Sequence, residues 1–314
     1  MKTIKRWNSM QISFVAIFIS ISVIMLIIGT RLAPFAIIPT FRLAIIGLPI
    51  KITGFIFGPI VGLLTGFLSD IITFLFVPGV YSWYYTVYIS ITGFIPGVFF
   101  WLFVKKGKQW FEKENLLERF SKKIASLQAN FIISQDDKSR IKIKENINNL
   151  ENKIKKIQAW NEEKYLLNFY WIISNIILVA ILAIIISVVF FSPNINFEHN
   201  RFIKNKTSFV ILILFGTTSM IVFIFIARFL KFFIKKDRYL TIVPIVAFSA
   251  VHEPIASIIA SLGDVQSGAL ANFETALVSH LITSPIKIWV NLSIIYFTAR
   301  AVVPLVHKKI SYSL

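Results

Sequence analysis

An all-α, polytopic membrane bundle is the fold class this sequence predicts, on three observations. The chain of 314 residues is 56% hydrophobic and only 15% charged, and its mean hydropathy is +0.74. A soluble domain so apolar would lack the polar surface to stay in water. Apolar runs of about 20 residues, the length that crosses a bilayer, recur along the chain between basic clusters and turn residues. Within Phe41–Phe100, glycine recurs every few residues while Arg42, Lys51 and Asp70 sit among apolar neighbours. Charge inside an apolar helix is costly and faces a cavity or a partner, and closely spaced small residues let helices approach in lipid.

The composition also bounds the function. Without cysteine there is neither a disulfide framework nor a Cys-based metal site. The formal net charge of +18 is read as basic cytoplasmic loops and contact with anionic lipids, not nucleic acid, because Lys and Arg cluster at helix ends. The apolar stretch Gln11–Gly29 is longer than a signal-peptide core and has no small-x-small cleavage pattern after it, so it is expected to be retained.

Eight apolar segments are expected, about the number the hydropathy supports, with both termini inside. Segment 1 covers about Ser9–Gly29 and follows Lys2, Lys5 and Arg6; its Ser13, Ala16 and Ser20 lie near one face, suited to helix packing or to docking another membrane subunit. Thr30–Phe41, with Pro34 and Pro39, reads as an outside loop. Segment 2 (Arg42–Phe57) stops at Gly58-Pro59, and segment 3 (Ile60–Val77) at Pro78-Gly79. The four-residue spacing of Gly62, Gly66 and Asp70 puts Asp70 on a close-packed face and is expected to bring segments 2 and 3 together. Segment 4 (Tyr84–Val104) follows the aromatic loop VYSWYY. From Lys105 to Tyr165 the sequence holds 15 Lys/Arg and 9 Asp/Glu, a composition that does not cross a membrane. Two seams with 3-4 spacing, Leu117 to Leu127 and Ile143 to Ile157, flank the turn SQDDKS and predict a cytoplasmic antiparallel helical hairpin. Segments 5 (Asn168–Phe191) and 6 (Ser208–Leu230) are plain lipid-facing spans joined by an outside loop, Pro193–Thr207. Segment 7 (Tyr239–Leu262) carries His252-Glu253. After the acidic loop Gly263–Glu274, segment 8 (Ala276–Val303) carries His280 and Lys287. The domain organisation is thus 1–104, 105–166, 167–238 and 239–314.

His252-Glu253 lacks the second histidine of a zinc-protease HExxH, since residue 256 is Ala, and Pro254 distorts that turn. No Walker A sequence or nucleophile elbow occurs, so neither an enzyme nor a self-contained ATPase is expected, and no cofactor or metal. A binding pocket fits better. Asp70, His252, Glu253, His280 and Lys287 are expected to converge on the outer half of the membrane, with Arg31 and Arg42 at the mouth, Lys51 deeper, and Tyr84 among the aromatic walls. Carboxylates for ring N–H donors, cations for carboxylates and aromatic surfaces suit a polar heteroaromatic anion. Singly, Arg31 and Lys287 could be snorkelling side chains and His280 an interhelical donor.

The run FRLAIIGLPIKITGFIFGPIVGLLTGFLSDIITFLFVPG, followed by SITGFIPG, resembles the substrate-binding S component of energy-coupling factor (ECF) vitamin transporters, closest to the folate group. Arg42, Gly47-Leu48-Pro49-Ile50, Gly58-Pro59, Gly62, Gly66, Asp70, Pro78-Gly79 and Gly93 to Gly97 carry the resemblance, over about 60 residues. In the family, helix 1 presents small residues to the coupling subunit, which points to Ala16 and Ser20. Its last helix tends to carry an Arg three residues before a Lys; Lys287 matches the Lys, while Ser284 stands at the Arg. The resemblance implies a six-helix core, segments 1–4, 7 and 8, with an outward vitamin pocket and Lys105–Arg238 as an insertion. It implies as partners a membrane coupling subunit and two cytosolic ATPases in the cell membrane. Folate is the expected vitamin, Asp70 with Glu253 or His252 meeting the pterin and Arg31, Arg42 and Lys287 the carboxylates. Another vitamin such as riboflavin or thiamine, or a membrane scaffold whose hairpin recruits partners, are the alternatives. A secondary transporter would leave a duplicated pair of interrupted helices, which is not seen.

Overall fold

The computed structural model describes residues 9–32, 47–77, 81–134, 136–191, 206–229 and 235–311. The described residues are helical, with no strand among them. The helices are α1 (Ser9–Leu32), α2 (Leu48–Phe57), α3 (Pro59–Phe76), α4 (Trp83–Phe99), α5 (Lys108–Phe111), α6 (Lys113–Ile133), α7 (Asp137–Ala159), α8 (Glu162–Phe191), α9 (Lys206–Phe229), α10 (Lys236–Gln266) and α11 (Phe273–Ser311). A π-helical stretch, Phe100–Gly107, continues α4. Five stretches are long and apolar enough to cross a membrane: Pro59–Phe76, Trp83–Phe111, Glu162–Ser187, Lys236–Gln266 and Phe273–Val302. Ile12–Ile28, Leu48–Phe57 and Leu214–Phe229 are shorter apolar helices.

Several expected boundaries move. Trp83, Tyr84 and Tyr85 open α4 and do not lie in a loop. Gly263 and Asp264 belong to the last turn of α10, not to an acidic loop. Thr30 and Arg31 continue α1. The remainder of the first expected loop from residue 33, Arg42 at the start of the second expected segment, and residues 193–205 of the second loop lie outside the described residues.

The chain forms two compact units, Met1–Trp101 with Trp171–Leu314, and Leu102–Tyr170. In the first, α4 packs against α2, α3 and α10, α10 against α11, and α11 back against α2, so α2, α4, α10 and α11 close a ring. Glycine makes the tightest contacts possible. A Cβ on Gly54 or on Gly62 would run into the backbone of Gly93, and one on Gly66 into the Ile89–Ser90 backbone. The glycine face does bring α2 and α3 together, but the surface they share is α4. Gly58, at φ 100° between α2 and α3, holds a backbone conformation that L side chains rarely adopt, and Pro59 opens the next helix with no N–H to satisfy. Leu26, Ile50, Tyr88, Ile89, Ala256 and Ala260 form a buried apolar cluster. The outer face of α3 leaves Ile60, Leu64, Phe67 and Leu75 exposed, as a lipid-facing helix does.

The second unit is a helical hairpin on an aromatic base. α6 packs on α7, and Leu150 and Ile157 are buried in the seam. The Asp136 carboxylate caps α7, accepting from the Ser139 backbone N–H at 3.1 Å and from its hydroxyl at 2.8 Å. These donors hold the Asp136 carboxyl below its usual value. At the hairpin's base, the Phe111 ring meets Trp160 and Phe169, and Trp160 meets Tyr165. The Tyr170 hydroxyl donates to the Phe103 carbonyl at 2.9 Å.

Candidate functional site

The ring of α2, α4, α10 and α11 encloses ionisable side chains contributed by three of its helices. Lys51 of α2 and Lys287 of α11 both face Glu253 of α10, Nζ to Oε1 at 3.9 Å and Nζ to Oε2 at 3.7 Å. The neighbouring His252 turns its Nδ1 toward Glu253 at 3.7 Å, while its Nε2 lies 3.1 Å from Thr92 Oγ1 on α4. All four charged or titratable groups are buried, none more than 5% exposed. By formal charge two ammonium groups meet one carboxylate. The separations exceed hydrogen-bond length, so the pairing is Coulombic and its geometry is open.

Pro254 and Pro285 both lie inside their helices. Having no N–H, each leaves the carbonyl four residues earlier, of Ala250 and Leu281, without its usual intrahelical donor. Glu253 lies near the middle of the 31-residue α10, about 25 Å from its start at 1.5 Å per residue. For a helix spanning a hydrocarbon core of about 30 Å, that is the depth where charge is most costly.

A second polar group sits at the end of the α10–α11 hairpin. Asp264 Oδ2 is 2.8 Å from His280 Nε2, and Asp264 Oδ1 accepts from the Tyr85 hydroxyl at 2.6 Å. One turn farther out, the Ser82 hydroxyl donates to Gln266 Oε1. The α4–α10 seam thus carries polar crosslinks at Ser82–Gln266, Tyr85–Asp264 and Thr92–His252. Gly263 makes room for it, since a Cβ there would press on the Tyr85 ring.

The expected pocket residues therefore separate. Lys51, His252, Glu253 and Lys287 form one cluster, and His280 belongs to the second. Asp70 is engaged on the α3–α4 seam, accepting from Thr86 Oγ1 at 2.6 Å, and Thr86 also meets the Tyr81 hydroxyl at 2.7 Å. Tyr84 stacks on Trp83, ring centroids 3.9 Å apart. Arg31 lies at the end of α1 with its side chain outside the description, and Arg42 is outside the described residues altogether. Ser13, Ala16 and Ser20 are exposed on α1, with both hydroxyls bonded back to the carbonyls of Ser9 and Ala16 at 3.0 Å.

Sequence reasoning left Asp264, Thr92 and Asn291 out of the site. A signal existed for Asp264: eleven residues is three helical turns, which puts it on the face of Glu253. Thr92 likewise keeps helical spacing from Tyr85 and Tyr88, but a neutral hydroxyl carries no signal of a site.

Fold and site together define a class: an all-helical protein, with helices able to span a membrane, holding a buried and net-positive charge cluster. Comparison with known protein families, curated proteins and solved structures gives no match.

Proposed function

We propose that this chain is the vitamin-binding S component of an ECF-type importer, with folate as its ligand, and that it binds and does not catalyse. The observation that carries the reading is the pairing of Lys51 and Lys287 with the single carboxylate of Glu253 inside the helical ring. A buried group with one cation in excess favours an anion that arrives from outside, because uncompensated charge is expensive there. A ligand carboxylate shared by two ammonium groups meets that need. In this reading His252 meets the pterin and Arg31 and Arg42 complete the site, while Asp70 and Tyr84, engaged with Thr86 and Trp83, stand outside it. The sequence resemblance over Phe41–Phe100 is what narrows an anion site to this transporter class.

The remaining parts follow from the same reading. Eight spans place both termini and the hairpin on the cytoplasmic side of the cell membrane, as the excess of Lys and Arg near Lys105 and Lys235 favours. The exposed small-residue face of α1 docks the coupling subunit, and two ATPases drive transport.

Radiolabelled folate binding to the purified protein tests the reading. Saturable binding that weakens in Lys287→Met and Lys51→Met is the expected result. Tight binding of another vitamin in place of folate would retain the class and replace the ligand. Absence of any ligand, with partner capture lost on deletion of residues 109–163, would favour the scaffold.

A further inference from the structure

Two polar faces oppose each other in the α10–α11 hairpin. On α10, Glu253, Ser257 and Asp264 fall within about 40° of one another around the helix at 3.6 residues per turn. On α11, His280, Lys287 and Asn291 do the same. Pro285 and Trp289 lie on the other side of α11, where they meet Gly216 and Ser219 of α9. Along the inner face, His280 is matched by Asp264 at 2.8 Å and Lys287 by Glu253 at 3.7 Å. Asn291 is matched by nothing. It is 2% exposed, and neither its Nδ2 nor its Oδ1 has a hydrogen-bond partner among the described residues. A buried amide that makes neither of its bonds is costly to the fold, and a group supplied from outside removes that cost.

We infer that Asn291 is a specificity-determining residue that reads a cyclic-amide edge on the ligand whose anionic group Lys51 and Lys287 hold; this rests on the function proposed above and deepens it. A carboxamide offers an acceptor and a donor side by side in one plane. Its complement is a donor beside an acceptor on one ring edge, as the N–H and C=O of a lactam present. Asn291 lies one turn from Lys287, about 6 Å along α11, and on the same face, so one molecule reaches both. An anion without such an edge satisfies the lysines but leaves the amide unpaired, and a site built to make hydrogen bonds discriminates strongly against a ligand that cannot return them. Asn291 is neutral, so it adds selectivity without altering the charge balance at Glu253.

The test compares folate with N3-methylfolate, in which a methyl group replaces the lactam N–H while the ring oxo group and both carboxylates are kept. Binding of each is measured on the wild-type protein, Asn291→Leu and Lys287→Met. The wild type is expected to prefer folate. Asn291→Leu should weaken folate at least about tenfold and bring the two ligands to similar affinity, whereas Lys287→Met weakens both alike. Ligand-free Asn291→Leu should also melt no earlier than wild type, since it removes an unpaired amide. Equal binding of the two ligands by the wild type overturns the inference. So does unchanged folate binding in Asn291→Leu, an equal loss for both ligands, or an earlier melt of the ligand-free variant. If Lys287→Met loses binding while Asn291→Leu does not, this inference alone falls. If the wild type binds neither ligand, the functional reading falls and takes this one with it.

Discussion

Removing Glu253 and removing Lys287 should have unequal consequences for the fold. Glu253→Gln leaves Lys51 and Lys287 buried together with no carboxylate within 4 Å among the described residues. Lys287→Met leaves a balanced pair of one cation and one anion, and its unbranched apolar side chain fills much of the lysine's volume. At an effective dielectric of about 20, each contact of 3.7–3.9 Å is worth ~4 kcal/mol of gross Coulomb attraction. Glu253→Gln forfeits both attractions and exposes the lysines' mutual repulsion, while regaining the carboxylate's desolvation cost. The net loss for stripping the partner from a buried ion pair is ~3–5 kcal/mol. Lys287→Met forfeits one attraction but removes a desolvated ammonium and the repulsion with Lys51, so its net cost is about 1 kcal/mol or less. Thermal unfolding of the ligand-free protein in detergent separates the two. Glu253→Gln should melt lower than wild type by on the order of 10 °C, and Lys287→Met should stay within a few degrees. Equal melting of the two variants, or a lower melt for Lys287→Met, would refute the charge imbalance.

Other outcomes follow from other parts of the structure. Gly93→Ala inserts a methyl against the Gly62 backbone and should cost ~1–3 kcal/mol or more, read as lost monodisperse protein on size exclusion. Tyr85→Phe removes the hydrogen bond to Asp264 and should cost about 1–2 kcal/mol; in a double-mutant cycle with His280→Ala the two effects should not add, because both act through Asp264. The Asp136 carboxyl is held below its usual value by the Ser139 hydroxyl and N–H. Its stabilisation is therefore complete above the ordinary carboxylate range and is lost as pH falls through the lowered value. The protection factor of the Ser139 amide against hydrogen exchange should fall in acid in the wild type, be low at every pH in Asp136→Ala, and lose its acid dependence in Asp136→Asn, which keeps a capping oxygen.

Much of this architecture was legible in the residues, because apolar length and seam spacing are local properties. The hairpin followed from Leu117 to Leu127 and Ile143 to Ile157, and the charged cluster from the rarity of Lys51, Glu253 and Lys287 in apolar surroundings. What stayed hidden depended on register between helices. Gly263 read as a helix stop, but its missing side chain serves the Tyr85 ring, so α10 runs on and Asp264 becomes part of a buried polar group. The glycines of α2 and α3 announced close packing without saying that α4 was the third helix in it. Asp70 and His280 shared the character of Glu253 but not its place, since nothing in charge alone states which seam a side chain faces. Asn291 escaped because a search for buried charge passes over a neutral amide.

The central claim is that the excess cation in the helical ring is there for an anionic ligand. Equilibrium binding of radiolabelled folate to wild type and to Lys287→Met, each shown to be folded by its melt, tests it most directly. The account predicts saturable binding by the wild type and a loss of at least about tenfold, 1.4 kcal/mol, in the variant. Equal folate affinity in a folded Lys287→Met would contradict it.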